Sequence, residues 1–333
     1  MSDKDTITKE YMSDNFIFAD AFNFYLYKGR QVIKSEQLKP LDTTEIVLPY
    51  GKNNRTLPIQ KHRDILKIVT AKADGNAAYL LLGIENQSQI HYAMPVRNML
   101  YNAIQYASQV DAISKAHKKD AKTSAEFLSG FHSDDKIIPV ITLTVYFGAD
   151  KWTAAKDLHG MFDKDKNRDL LEYIDNYHLH LIEPAAILDN DFSKFKSELS
   201  LALKYVKYSK NKIMLNKMVS EDDAYKHVSR RTANMINVVT GSNLNFQNGE
   251  ESVNMCEAIR DMRNDAIAEG KKEGLIEGKI EGKKEGLIEG KRSSSIAIAK
   301  RMLSHGRMTL EDIAEYTDLS IEEVRSLAND ENV

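Results

Sequence analysis

Between His62 and Gln87 the chain reads HRDILKIVTAKADGNAAYLLLGIENQ, and this stretch limits the fold more than any other. Residues 64–71 are rich in β-branched and apolar types, which predicts a strand. Ala73-Asp74-Gly75-Asn76 predicts a turn, with Gly75 or Asn76 able to take a positive φ. Residues 78–87 resume an apolar strand and end in polar groups. Together they predict a β-hairpin. Side chains alternate along a strand, so Glu85 and Gln87 share a face. Antiparallel pairing would bring Asp64, at the start of the first strand, beside the end of the second. Burying carboxylates there costs free energy unless something compensates them. A divalent metal held by oxygen ligands is the natural compensator for two nearby carboxylates. The plainer alternative is an ordinary strand-end aspartate and an exposed glutamate.

The flanking segments supply the rest of an α/β domain. Residues 8–28 predict one helix or two, with an aromatic face (Phe16, Phe18, Phe22, Phe24, Tyr25) and Asp14 or Asn15 as a cap. Asp20 lies inside that run, where a helical acid ordinarily points to solvent. Pro40, Pro49 and Pro58 break residues 30–60 into connecting and edge structure, with a short strand from Thr44. Glu36, Asp42 and Glu45 are acids there that nothing singles out. Residues 95–115 predict a helix opened by Pro95, with Val96, Leu100, Ala103, Ile104 and Ala107 as its apolar side. Arg97, Tyr101 and Gln105 then form a stripe at four-residue spacing. Such a stripe could hold a phosphate, with Arg97 as a two-pronged donor, or could simply be a solvated face. Lys115, His117, Lys118, Lys119 and Lys122 form the densest basic run of the first half. It suits a DNA backbone or water equally. IIPVITLTVYFG (137–148) predicts a central strand covered on both faces. A further strand, 177–182, puts His178 and His180 on one face, a pair without a third metal ligand placed by sequence. Residues 190–240 predict amphipathic helices whose lysines suit a surface or flanking DNA contacts. Proline is absent after Pro184, leaving the remainder free to be helical.

Composition narrows the function classes. The formal net charge is −3, so any DNA contact must come from a local patch. Cys256 is the only cysteine, which excludes an internal disulfide and suits a reducing cytoplasm. The polar, mixed-charge N-terminus lacks the apolar core of a signal peptide. Nowhere do about 18 apolar residues run together, so no membrane span is expected.

The segments FADAFNFYLYKG (18–29), RDILK (63–67), GIENQSQIHYAMPVRNMLYNAIQY (83–106) and IPVITLTVYFG (138–148) carry a resemblance. They resemble the Rpn family of recombination-promoting nucleases, also labelled transposases, within the PD-(D/E)XK nuclease superfamily. The resemblance covers most of residues 14–255. It implies a restriction-endonuclease-like mixed sheet flanked by helices, with an α-helical tail. It implies a metal-dependent DNA endonuclease linked to recombination or mobile elements. Asp64 and Glu85 would hold Mg²⁺ or Mn²⁺, and Asp20 would be the helix acid that many superfamily members add to the metal. Gln87 stands where the superfamily name expects lysine, a substitution common in the Rpn-like group. Glutamine can orient a water but carries no charge. Lys67 or Lys72 could supply a cation, although Lys67 reads more simply as solvent-facing or paired. The rival reading is a catalytically weak or inactive DNA-binding or interaction protein that keeps the fold.

The expected organisation is a nuclease-like domain over 1–255, a repeat over 256–292 and a small helical module over 293–333. EGKKEGLIEGKI (269–280) recurs as EGKKEGLIEGKR (281–292), with glycine at every fourth residue. This predicts a flexible spacer, or a long helix stable only against a partner that the glycines let approach closely, and hence a homo-oligomer through the tail. Helices over 296–303, 310–317 and 321–328 resemble a helix-turn-helix, with Ser320 and Glu323 as a capping box. Glu322 and Glu323 would repel phosphate, which favours protein interaction over DNA reading.

Overall fold

The computed structural model describes residues 3–41, 44–47, 59–62, 64–73, 76–117, 120, 122–244, 246 and 251–330. It describes the backbone alone at residues 3, 44–47, 59–62, 69–73, 76–83, 85, 164 and 330. The chain divides into two units, Met1–Arg260 and Asp261–Val333.

The first unit opens with α1 (Asp3–Ser13) and α2 (Asn15–Tyr27). The helices separate at Asp14, which turns extended and caps α2. Its Oδ1 accepts from the Phe16 and Ile17 amides at 2.8 and 3.2 Å. The last carbonyls of α1 lack helical partners and need others. Lys67 donates to Ser13 O and Asn15 Oδ1, both at 2.6 Å, and Arg231 donates to Tyr11 O at 2.9 Å. Lys67 is therefore 3% exposed, and the solvent-facing expectation for it fails. Its amine lies 4.7 Å from the Phe18 ring centre, and its four-carbon stem is spent inside.

After β1 (Leu38–Pro40) come β2 (Thr44–Val47) and β3 (Ile59–His62), which pair with each other. The hairpin follows as β4 (Ile65–Ala73) and β5 (Asn76–Gln87), in register from Ile65↔Ile84 to Ala73↔Asn76. Its turn residues, Asp74 and Gly75, lie outside the described residues. The main sheet has the order β1-β4-β5, then β6 (Val140–Tyr146) and β7 (His180–Ile182). The first two pairings are antiparallel and the last two parallel. A parallel pair needs a crossover. Between β5 and β6 it is made by α3 (Met94–His117) and α4 (Ser124–Ser129).

The buried side of α3 is not the apolar side expected from periodicity. Val96 and Ala103 are exposed, while Asn98, Tyr101 and Asn102 are buried beside Met94 and Ile104. The reason is β6, which turns two threonines toward the helix. Asn98 Nδ2 donates to Thr144 Oγ1 at 2.9 Å, and Asn102 Oδ1 accepts from Thr142 Oγ1 at 2.6 Å. Asn102 Nδ2 also donates to Tyr177 Oη at 3.0 Å. Hydrogen bonding makes these polar side chains admissible inside.

The short α5 (Lys164–Asn167) precedes β7, and after β7 come α6 (Leu199–Tyr208), α7 (Lys212–Glu221) and α8 (Arg230–Thr240), with α6 packed on both α7 and α8. Leu199, Leu203 and Val206 of α6 and Ala233 and Ile236 of α8 are buried where these helices meet. Absence of proline did not make this region wholly helical: β8 (Val228–Ser229) and β9 (Ser252–Val253) form a short ribbon.

The second unit holds most of α9 (Met255–His305), with α10 (Leu310–Thr317) and α11 (Ile321–Asp330). Ala299, Ile313, Ala314, Leu319 and Val324 form its core. Ser320 and Glu323 make the expected reciprocal cap: Ser320 Oγ accepts from the Glu323 amide at 3.2 Å, and Glu323 accepts from the Ser320 amide at 2.9 Å. Glu323 also meets Arg292 at 2.8 Å, so one of the two opening acids is neutralised. Along the repeat, Leu275, Ile280 and Leu287 are exposed, and among the described residues no atom beyond the local helix backbone and the flanking residues lies within 4 Å of where a Cβ would stand on any of the six glycines.

Candidate active site

The hairpin register places Asp64 one step beyond the Ile65↔Ile84 rung, across from Glu85. Glu85 in turn pairs with Thr144 on β6. The Asp64 carboxylate is fixed locally: its Oδ2 accepts from the Asn86 amide at 2.8 Å. Burial pushes the Asp64 carboxyl above the usual carboxylate range. The Asn86 amide, the Arg97 guanidinium and the Lys9 ammonium pull it down, and Asp5 adds to the rise. Burial outweighs the attractions, so the charged form of Asp64 is incompletely compensated. The side chain of Glu85 lies outside the described residues.

Gln87 closes β5, and its Nε2 donates to the Asn86 carbonyl at 2.9 Å. Arg97, on the first turn of α3, donates from Nε to Tyr101 Oη at 3.1 Å, with its guanidinium 5.7 Å from the Tyr101 ring centre. Tyr101 is thus the buried support of Arg97, at 2% exposure, rather than part of an outward stripe. Gln105 lies a turn further on and is half-buried. The structure brings Asp64, Gln87, Arg97 and Tyr101 to one end of the sheet and adds Asp5 and Lys9 from α1. Those two were missed in the sequence. Their four-residue spacing puts them on one face of a polar helix, the signal that was available.

Asp20 is elsewhere in its commitments. It is fully buried, neither solvent-facing nor bonded to Asp64. Both its oxygens accept from the Lys196 amide at 2.9 Å, and Oδ2 also accepts from the Ser197 amide at 2.7 Å and the Ser197 hydroxyl at 2.6 Å. These bonds hold the backbone that leads into α6. Lys118 and Lys119 lie outside the described residues, as do the side chain of Lys72, Asp42, and the side chain of Glu45. Lys115 pairs with Asp111 at 2.6 Å. Several lysines after β7 are spent on acids: Lys194 on Asp191, Lys204 on Asp222, and Lys207 on Asp189. His180 meets Tyr25 Oη at 3.3 Å, and the His178/His180 pair belongs to no group of three metal-capable side chains among the described residues. No described helix is long and apolar enough to cross a membrane.

The molecule is thus a mixed α/β protein with a helical C-terminal region and the Asp64 carboxylate at the end of its central hairpin. A family model described as "Putative transposase, YhgA-like" matches residues 59–231, more than half of the chain, and includes both strands of the hairpin and α3. The chain belongs to that family. Membership links it to mobile elements and to DNA as a partner. None of the curated proteins and none of the solved structures compared matches it.

Proposed function

We propose that the chain is a metal-dependent DNA endonuclease of mobile-element biology, with Asp64 and Glu85 as the ligands of Mg²⁺ or Mn²⁺. The observation that carries this reading is Asp64. Its carboxylate is locked in place by the Asn86 amide, raised by burial and set opposite Glu85 in the hairpin register. A hard cation with oxygen ligands suits such a group, because it offsets the charge that burial penalises. The strand order β1-β4-β5-β6, antiparallel twice and then parallel with α3 in the crossover, supports a restriction-endonuclease-like sheet. When bound, the metal would activate water and stabilise charge on the scissile phosphate.

The chain's own residues divide the remaining work. Arg97, steadied by Tyr101, holds a phosphate oxygen next to the site. Gln87 orients the attacking water by accepting or donating a hydrogen bond. Lys9 supplies the positive charge that glutamine cannot. Asp20 positions the approach to α6 and does not touch the metal. The tail assembles copies of the chain. The test is plasmid nicking in Mg²⁺ against EDTA, wild type beside Asp64→Asn. Metal-dependent nicking lost in the variant supports the reading. DNA binding without nicking in either protein would instead establish the inactive binding protein, which the Gln87 substitution favours.

A further inference from the structure

Helix α3 ends at His117, and after α4 the chain returns through residues 130–139 into β6. This return is fastened to α3 at two points. Gly130, with φ +66°, sits so close that a Cβ there would meet Ser114 Oγ at 1.9 Å. Gln109 brackets Ile138, its Oε1 accepting from the amide at 2.6 Å and its Nε2 donating to the carbonyl at 3.1 Å. Between these points His132 is brought against His117. The Nδ1 atom of His117 lies 2.6 and 3.0 Å from the two ring nitrogens of His132, with the rings edge-on and their centres 3.8 Å apart. Asp135 Oδ1 is 3.5 Å from His117 Nε2, and Oδ2 accepts from the His132 amide at 2.7 Å. One ligand atom from each residue lies within 4.8 Å of the other two, and all three residues are half-buried, within reach of an ion.

Ligands 2.0–2.2 Å from a tetrahedral zinc stand about 3.3–3.6 Å apart. With one ligand atom taken from each residue, the three lie within 4.8 Å of one another, and rotation of the imidazole rings brings them to that edge length. Two facing imidazoles can share only one N–H···N bond, whereas a cation satisfies both lone pairs at once. We propose that His117, His132 and Asp135 form a zinc site, with a fourth position open to water, that staples the end of α3 to the segment entering β6. Two nitrogens and one carboxylate select a borderline transition metal over Mg²⁺, which prefers oxygen. The bond from the His132 amide to Asp135 presets the carboxylate. The site is separate from Asp64 in ligand chemistry and in sequence, so it stands whether or not the chain cuts DNA.

The test uses the tag-free full-length protein, stripped with chelator and titrated with zinc chloride against a zinc-binding dye. One zinc per chain is expected. His132→Gln and His117→Gln should each weaken it more than about 100-fold, beyond the loss that follows removal of an outer-shell partner. Asp64→Asn should bind zinc as wild type does. Zinc should slow amide exchange over residues 130–138, and Co²⁺ should give the visible absorption of a tetrahedral site. Absence of stoichiometric zinc binding would overturn the proposal. So would zinc binding that survives in the folded double variant, His117→Gln with His132→Gln.

Discussion

At the scale of single residues, three buried charges set what can be measured. Burial raises the Asp64 carboxyl, so the folded chain holds that proton more tightly than the unfolded chain does. Stability then falls as pH rises through the folded pKa. Asp64→Asn should therefore melt above wild type at pH 7 and match it below about pH 3.8, where both states are protonated. Mg²⁺ should raise the melting point of wild type and leave the variant unmoved. For Lys67, burial brings the ammonium down to about 8 from 10.5, with Asp14 opposing the shift and Arg231 adding to it. The unfolded state binds more protons between those values, so wild type should gain stability over Lys67→Met as pH climbs from about 8 to 10.5, and show no such trend below 8. Denaturant midpoints at several pH values decide it. Asp20→Ala removes the acceptor for two amides and a hydroxyl and should cost about 3–5 kcal/mol, whereas Asp20→Asn should recover part of that loss. The roles of Lys67 and Asp20 were not readable locally. Lys67 is fixed by the carbonyl of Ser13 and Asp20 by the backbone at 196–197, partners that no spacing rule connects.

At the scale of elements, the sequence was legible wherever the pattern is local. The hairpin, the Pro95-started helix, the apolar strand at 140–146 and the capped helices after Thr309 and Ser320 all rest on neighbours within a few residues. Legibility failed on α3, because its inner face is set by threonines some forty residues away on β6. Thr144→Val should strand the Asn98 amide and lower stability by about 1–3 kcal/mol, while Val96→Ala, on the exposed side, should change it by less than about 0.5. Calorimetric melts of the two variants separate these outcomes. The hairpin part of the candidate site was legible for the same reason. Asp64, Glu85 and Gln87 lie on one hairpin, but Asp5 and Lys9 arrive from a helix roughly sixty residues earlier.

At the scale of the whole molecule, the modest negative charge leaves DNA contact to a few cations. Arg97→Ala should weaken binding across sequences alike and lower the slope of log affinity against log salt by about 1, as loss of one phosphate contact does. The proposed assembly through the tail is tested in the repeat. Each Gly→Ala change there meets open space and should favour helix by about 1 kcal/mol. With Gly278→Ala and Gly282→Ala, helix content by circular dichroism should rise while the native mass by light scattering falls, if the glycines are the contact. An unchanged subunit count would remove them from that role. Four residues turn an α-helix about 40° past one revolution, so the ladder from Gly270 to Gly290 winds roughly 200° around its axis. No straight rod can lie along all six rungs. A second strand that followed them would have to coil with a right-handed pitch, opposite to the common heptad rope, and any parallel neighbour would touch only two or three rungs before parting.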